Sequence, residues 1–281
     1  MSTVTTREPS APRTSATPTR AAHAAGGTRE SRTRIPFGRL LWVELTKMFD
    51  TRSGFWLLAG IGASAVVATG LVMTLGPEDV QVYSSYAAAI GVPMSILLPL
   101  MAVLAVTTEW SQRSVLTTFT LEPRRSRVLA AKAVCAIAVG ALSMLAALGI
   151  AALGHLLGSA LGDTPTVWDI TAQNVATLVL ANVIGLVMGF TLGVVLRSSP
   201  TAIVAFFVWS LVLPNALYVL GTVQEGFADV QPWIDFYYAT NPLYEDVPTG
   251  EQWAQLATSG TLWLVLPLAF GLWRVHRAEV K

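Results

Sequence analysis

Six stretches of the chain run without a charged side chain for long enough to cross a bilayer as helices, since the roughly 30 Å hydrocarbon core needs about 20 helical residues. They predict spans at about 55–75, 87–107, 130–157, 173–196, 201–221 and 255–273. These continuous Ala, Leu, Val and Gly runs lack the alternation of barrel strands. Lipid offers the backbone no hydrogen bonds, so each run must satisfy its own amides as a helix. Ahead of the first span, Phe37, Leu40, Leu41, Leu45 and Met48 recur at steps of three and four residues, with Arg39, Thr46, Lys47 and Asp50 opposite. That is the pattern of an amphipathic helix lying on the membrane. At Ser53-Gly54 the chain turns into the first span. The predicted fold is an all-α integral membrane protein with six transmembrane helices behind an amphipathic connecting helix.

Charge sharpens this picture. AVILMFWYC residues make up 53% of the 281 positions and DEKR only 12%, about half the charged share of an ordinary soluble domain. With six spans, all 18 basic residues fall on the face that carries both ends of the chain. The other face carries none, but holds Glu78, Asp79, Asp163, Asp169, Glu225, Asp229, Asp235, Glu245, Asp246 and Glu251. The excess of Lys and Arg on cytoplasmic loops then predicts that both termini are cytoplasmic, in a multi-pass protein of the cell membrane. Trp110, Trp168, Trp233, Tyr237, Tyr238, Trp253 and Trp273 fall near the expected membrane boundaries. Residues 1–34 are mostly Thr, Ser, Ala, Pro and Arg, predicting a disordered cytoplasmic tail with weak attraction to anionic lipid. The tail lacks the pattern of a cleaved secretory or twin-arginine signal. The six-helix domain is expected over 35–281. Cys135, the single cysteine among apolar neighbours, excludes an internal disulfide framework and reads as a buried, inert thiol.

Within the spans the polar residues are few. No Asp, Glu, Lys or Arg lies in any span interior, which argues against ion-coupled transporters and intramembrane proteases. His155, without a metal-ligand companion, is expected at the outer interface. Asn182 and Asn215 each need a partner in lipid, supplied by a neighbouring helix or by a substrate path. Ala181, Gly185, Gly189 and Gly193 set small residues along one face of the fourth span, predicting close helix packing. Pro93, Pro99, Pro214 and Pro267 predict kinks or irregular backbone. Spans two and five, with three of these prolines, are the expected lining of a pathway. Helical spacing from Asn215 back to Phe207 makes Phe207 the inward candidate and Trp209 the lipid-facing one. Residues 222–251, acidic and aromatic, read as short helices dipping into the outer leaflet.

Two further features concern partners. Glu44 lies on the apolar side of the connecting helix, where an unpaired carboxylate is costly. Its expected partner is Lys47 or Arg52, or else a cytoplasmic protein. Between spans two and three, Glu109 and Arg113 stand one helical turn apart, Val115, Leu116 and Phe119 form an apolar edge, and Pro123 precedes Arg124, Arg125 and Arg127. A short amphipathic helix with an exposed apolar edge suits a protein partner, although a basic cluster beside a span also serves as topology signal.

The chain has no GxxxxGK[ST] loop, GxGxxG, HExxH or GxSxG, so no recognisable site for ATP hydrolysis or other catalysis is present. VELTKMFDTRSGFW before the first span and TTEWSQRSVLTTFTLEPRRSRVLAAK between spans two and three resemble the paired signatures of bacterial type-2 ABC exporter permeases, especially the actinobacterial branch. The resemblance covers residues 36–281. It implies six spans behind a connecting helix, a coupling helix that docks on a cytoplasmic ABC ATPase, and two permeases, identical or related, above two ATPases. ATP and Mg would be bound by the ATPase and no cofactor by this chain. Carried over, Glu44, Lys47 and Arg52 match the connecting-helix pattern, and Glu109, Arg113, Pro123, Arg125 and Lys132 the coupling-loop pattern. The family supplies no role for the Arg/Thr/Pro tail.

Two functions follow. The first is a permease exporting an amphipathic or apolar substrate, such as a drug, antibiotic or lipid, because a permanently charged solute needs compensating charge along its path. The tentative path residues are Asn182, Phe207 and Asn215. The second is a non-transporting anchor, immunity or sensing subunit that recruits a cytoplasmic partner. Nucleic acid is not an expected partner.

Overall fold

The computed structural model describes residues 36–77, 81–111, 125–162 and 165–277. Among them every regular element is helical, and six helical segments are long and apolar enough to cross a membrane. The amphipathic helix α1 (Phe37–Asp50) comes first. Thr51 ends it in extended backbone, donating its N–H to the Lys47 carbonyl. The same Thr51 starts α2 (Arg52–Leu75), where its hydroxyl accepts from the Gly54 N–H at 3.2 Å. A Cβ on Gly54 would lie 2.0 Å from the Met48 carbonyl oxygen, so the corner between surface helix and first span has room only for glycine.

The second, third and fourth spans are α3 (Tyr83–Ser111), α4 (Arg125–Gly162) and α5 (Ala172–Leu196). At 38 residues α4 outruns the expected span at both ends. Its first turns put Val128 and Ala131 against Leu40 of α1. Spans two and four form the centre of the bundle. About half of their most apolar windows is buried, 50% and 56%, against 6% for the fifth span. The small-residue face of α5 packs on α3 in the same chain, and a Cβ on Gly189 would sit 2.3 Å from the Pro99 carbonyl oxygen. Tyr86, Ile90, Met94 and Leu98 fill the interior of the bundle.

The fifth and sixth spans are each interrupted by a π turn. Helix α6 (Ser199–Phe207) passes through π residues Val208–Val212 into α7 (Leu213–Val223). After the outer segment, α12 (Gly250–Gly260) passes through Thr261–Val265 into α13 (Leu266–Arg277). Each π turn ends two residues before a proline, Pro214 or Pro267. A proline has no N–H for the carbonyl four residues back and its ring crowds that group, so the preceding turn widens to an i+5 bond. By contrast, Pro93 and Pro99 are carried within one continuous helix.

Between the fifth and sixth spans lie four short helices, α8 (Glu225–Ala228), α9 (Gln231–Ile234), α10 (Phe236–Thr240) and α11 (Pro242–Glu245). They pack on protein: Phe236, Ala239 and Leu243 join Ala181 and Leu256 in a second core. The Trp263 indole N–H donates to the Ile234 carbonyl at 2.8 Å. His155 also departs from expectation. Instead of lying at the interface it is fully buried, with the rings of Tyr83, Tyr86 and Trp168 centred 6.2, 5.5 and 5.3 Å away.

Candidate functional site

Three elements far apart in sequence meet at a cluster of four charges. Glu44 lies on the inner face of α1, with Lys47 one turn later. Glu109 ends the second span and Lys132 lies in the second turn of α4. The Lys47 ammonium donates to Glu44 at 2.8 Å and to Glu109 at 2.9 Å. The Lys132 ammonium donates to Glu44 at 2.5 Å and to Glu109 at 2.8 Å. Each lysine therefore bridges both carboxylates. The side chains of Glu44 and Lys132 are only 4% and 5% exposed, whereas Lys47 reaches solvent with 40%.

Burial at Lys47 disfavours its charged form, but hydrogen bonds to and attraction from Glu44 and Glu109 outweigh it, holding the ammonium above the ordinary lysine pKa. Removing one member of a buried pair leaves an uncompensated charge, at a cost of about 3–5 kcal/mol. The cluster thus fixes α1 to the two helix ends that flank residues 112–124.

Of the residues expected at the coupling loop, Arg113, Phe119 and Pro123 lie outside the described residues, and Arg125 is the first residue of α4. Of the proposed partners for Glu44, Lys47 forms the local pair. Lys132, 88 residues away in sequence, is a second partner that no local pattern announces. Arg52 instead lines a crevice of about 880 Å³ beside the cluster, between α1 and the first three spans.

At the opposite face a groove of about 720 Å³ lies between spans two, four and five and the short outer helices. Its walls are Ala88, Val92, Ile96, Ile184, Phe206 and Trp209, and its rim carries Ser84, Asp169, Asn174, Thr240 and Glu245. Ser84 donates its backbone N–H to Asp169 at 2.9 Å, and its hydroxyl to the second oxygen. Burial works against the Asp169 carboxylate, yet these bonds hold its pKa below the usual value.

Asn182, Phe207 and Asn215 do not line this groove. Asn182 is buried and donates to the Leu178 carbonyl of its own helix at 2.9 Å. Asn215 donates to Leu211 at 2.5 Å and is exposed. Phe207 is half-buried beside Phe206. Trp209, expected to face lipid, turns inward instead and packs at a tilt beside Phe236, with ring centres 6.1 Å apart. Asn215 and Phe207 stand on opposite sides of the π turn, where a spacing taken from an α-helix no longer tells which residues share a face.

Among curated proteins none matches the chain. The family model described as ABC-2 family transporter protein matches residues 15–280. An all-helical chain with six spans, matched to that model over nearly its whole length, belongs to the ABC-2 family of transporter membrane proteins.

Proposed function

We propose that this permease is the membrane subunit of an ATP-driven exporter, working in pairs with itself or a related permease and powered by a separate cytoplasmic ATPase that binds ATP and Mg. The observation that carries this reading is the four-charge cluster. It joins the surface helix to both helix ends flanking residues 112–124, so a push on that segment passes into spans two and three together. In this reading both termini and residues 112–124 are cytoplasmic, and Arg113, Phe119, Pro123 and Arg125 contact the ATPase; the expected tail, 1–34, lies outside the described residues.

The substrate is amphipathic or hydrophobic and leaves through the groove lined by spans two and five. Aromatic and aliphatic walls beneath a polar rim suit a molecule of that kind. The fifth span, with 6% of its most apolar window buried, leaves a broad apolar surface for a second permease and lipid.

Reconstitution with the ATPase tests the assignment. Arg113→Glu and Phe119→Ala should uncouple ATP hydrolysis from export while leaving membrane insertion intact, and full export by both variants would refute the docking role. Topology is tested separately in a Cys135→Ser background. Asp163→Cys and Asp229→Cys should react with an impermeant thiol reagent outside intact cells and Arg125→Cys should not. Labelling at position 125 would overturn the orientation.

A further inference from the structure

The crevice beside the ion-pair cluster is divided chemically. At one end stand Lys47, Thr51, Arg52 and Ser53, and along its length run Leu57, Met101, Leu104 and Ala105 from the first two spans. We propose that it binds an anionic glycerophospholipid, with the phosphate between Lys47 and Arg52 and one acyl chain against spans one and two. The proposal rests on the crevice alone and holds whether or not the chain exports anything.

Charge balance favours an anion. Three basic side chains, Lys47, Arg52 and Lys132, line the crevice with two carboxylates, Glu44 and Glu109. Both carboxylates are held by the lysines. Among the described residues no carboxylate pairs with Arg52, which is exposed on the first turn of α2. The positive end of that 24-residue helix points the same way and adds to the potential.

Depth favours a lipid over a soluble anion. Trp42 and Phe49 of α1 and Phe55 and Trp56 of α2 are all more than half exposed around this corner, and such aromatic side chains settle at the headgroup level of a bilayer. The polar end of the crevice therefore lies where lipid phosphates lie, and its apolar walls run toward the hydrocarbon. A soluble phosphate gains nothing from Leu57, Met101 and Leu104. A zwitterionic lipid brings its own cation toward Lys47 and Arg52. An anionic headgroup spanning these two residues also braces the Thr51 corner, tying α1 to the first span.

The test uses the purified full chain in nanodiscs with trace phosphatidylglycerol or phosphatidylcholine carrying a photoactivatable group on one acyl chain, and cross-links are mapped by peptide mass spectrometry. Each basic residue near a headgroup favours the anionic lipid roughly fivefold. Cross-links at Leu57, Met101 and Leu104 should accordingly be about fivefold or more stronger for phosphatidylglycerol. Arg52→Gln should reduce that preference about fivefold and Arg52→Lys should keep it. If Arg52→Gln fails to fold, the comparison of the two lipids on the wild-type chain decides alone. Equal labelling by both headgroups, or labelling confined to other surfaces, would overturn the proposal. Millimolar free glycerol phosphate should leave the labelling unchanged, and competition by it would replace the lipid site with a soluble-anion site.

Discussion

The two faces of the bundle use carboxylates in opposite ways. On the face where α1 lies, Glu44 and Glu109 share two lysines, Lys47 from α1 and Lys132 from α4, and the cluster holds three helices together. On the other face the acids accept from backbone N–H groups, some within their own turn and one across the fold. Asp235 accepts the N–H groups of Tyr237 and Tyr238 at 3.1 Å each, Asp246 accepts that of Val247 at 2.7 Å, and Asp169 accepts that of Ser84. Among the described residues, no lysine or arginine forms an ion pair with the acids of the second face, which accept from N–H and hydroxyl donors. A buried charged lock and a set of single backbone caps differ greatly in what their loss should cost.

The largest effect is therefore expected at Lys132. Lys132→Met leaves Glu44 buried with Lys47 alone and should destabilise the chain by about 3–5 kcal/mol, read as a lowered thermal midpoint in detergent. Glu44→Gln added to Lys132→Met removes the stranded charge and should recover much of that loss. A double variant no more stable than Lys132→Met would show that the pair acts through packing rather than charge.

A smaller loss is expected on the other face. Asp235→Ala frees two N–H groups at the start of α10 and should cost about 1 kcal/mol, the usual value of a helix cap, while Asp235→Asn keeps most of it. A loss at Asp235 as large as that at Lys132 would erase the contrast between the faces.

The smallest effects are opposite responses to pH. Asp169 is held below its usual pKa, so its bond to Ser84 contributes fully above the ordinary aspartate value and is lost as pH falls through the depressed one. Lys47 is held above its usual value, so its contribution is full below the ordinary lysine pKa and fades as pH rises through the raised one. Hydrogen exchange should show acid loosening the start of α3 and alkali loosening α1, with little crossover between them.

The parts of this architecture that lipid dictates were legible in the sequence. Uncharged runs located the spans, periodic leucines located α1, and the glycine step in α5 announced the close contact that Gly189 makes with Pro99. Residues joined only by the fold were not legible. Glu44 showed that it needed a cation, but Lys132 carries no sign of being that cation, since their approach depends on the first turns of α4 packing against α1. His155 looked interfacial because its cage comes from two other segments, Tyr83 with Tyr86 and Trp168. Trp209 looked lipid-facing because α-helical spacing was counted back from Asn215 through a stretch that holds a π turn.

In the function proposed above, the four-charge cluster carries motion between residues 112–124, where an ATPase would dock, and the spans. Its most direct test is export by the permease–ATPase complex carrying Glu44→Gln with Lys132→Met, after confirming that the double variant is folded and assembled. The proposed coupling predicts ATP hydrolysis with export reduced at least tenfold, because the tie of α4 to α1 and α3 is cut while the fold persists. A folded, assembled double variant that exports at the full wild-type rate would contradict it.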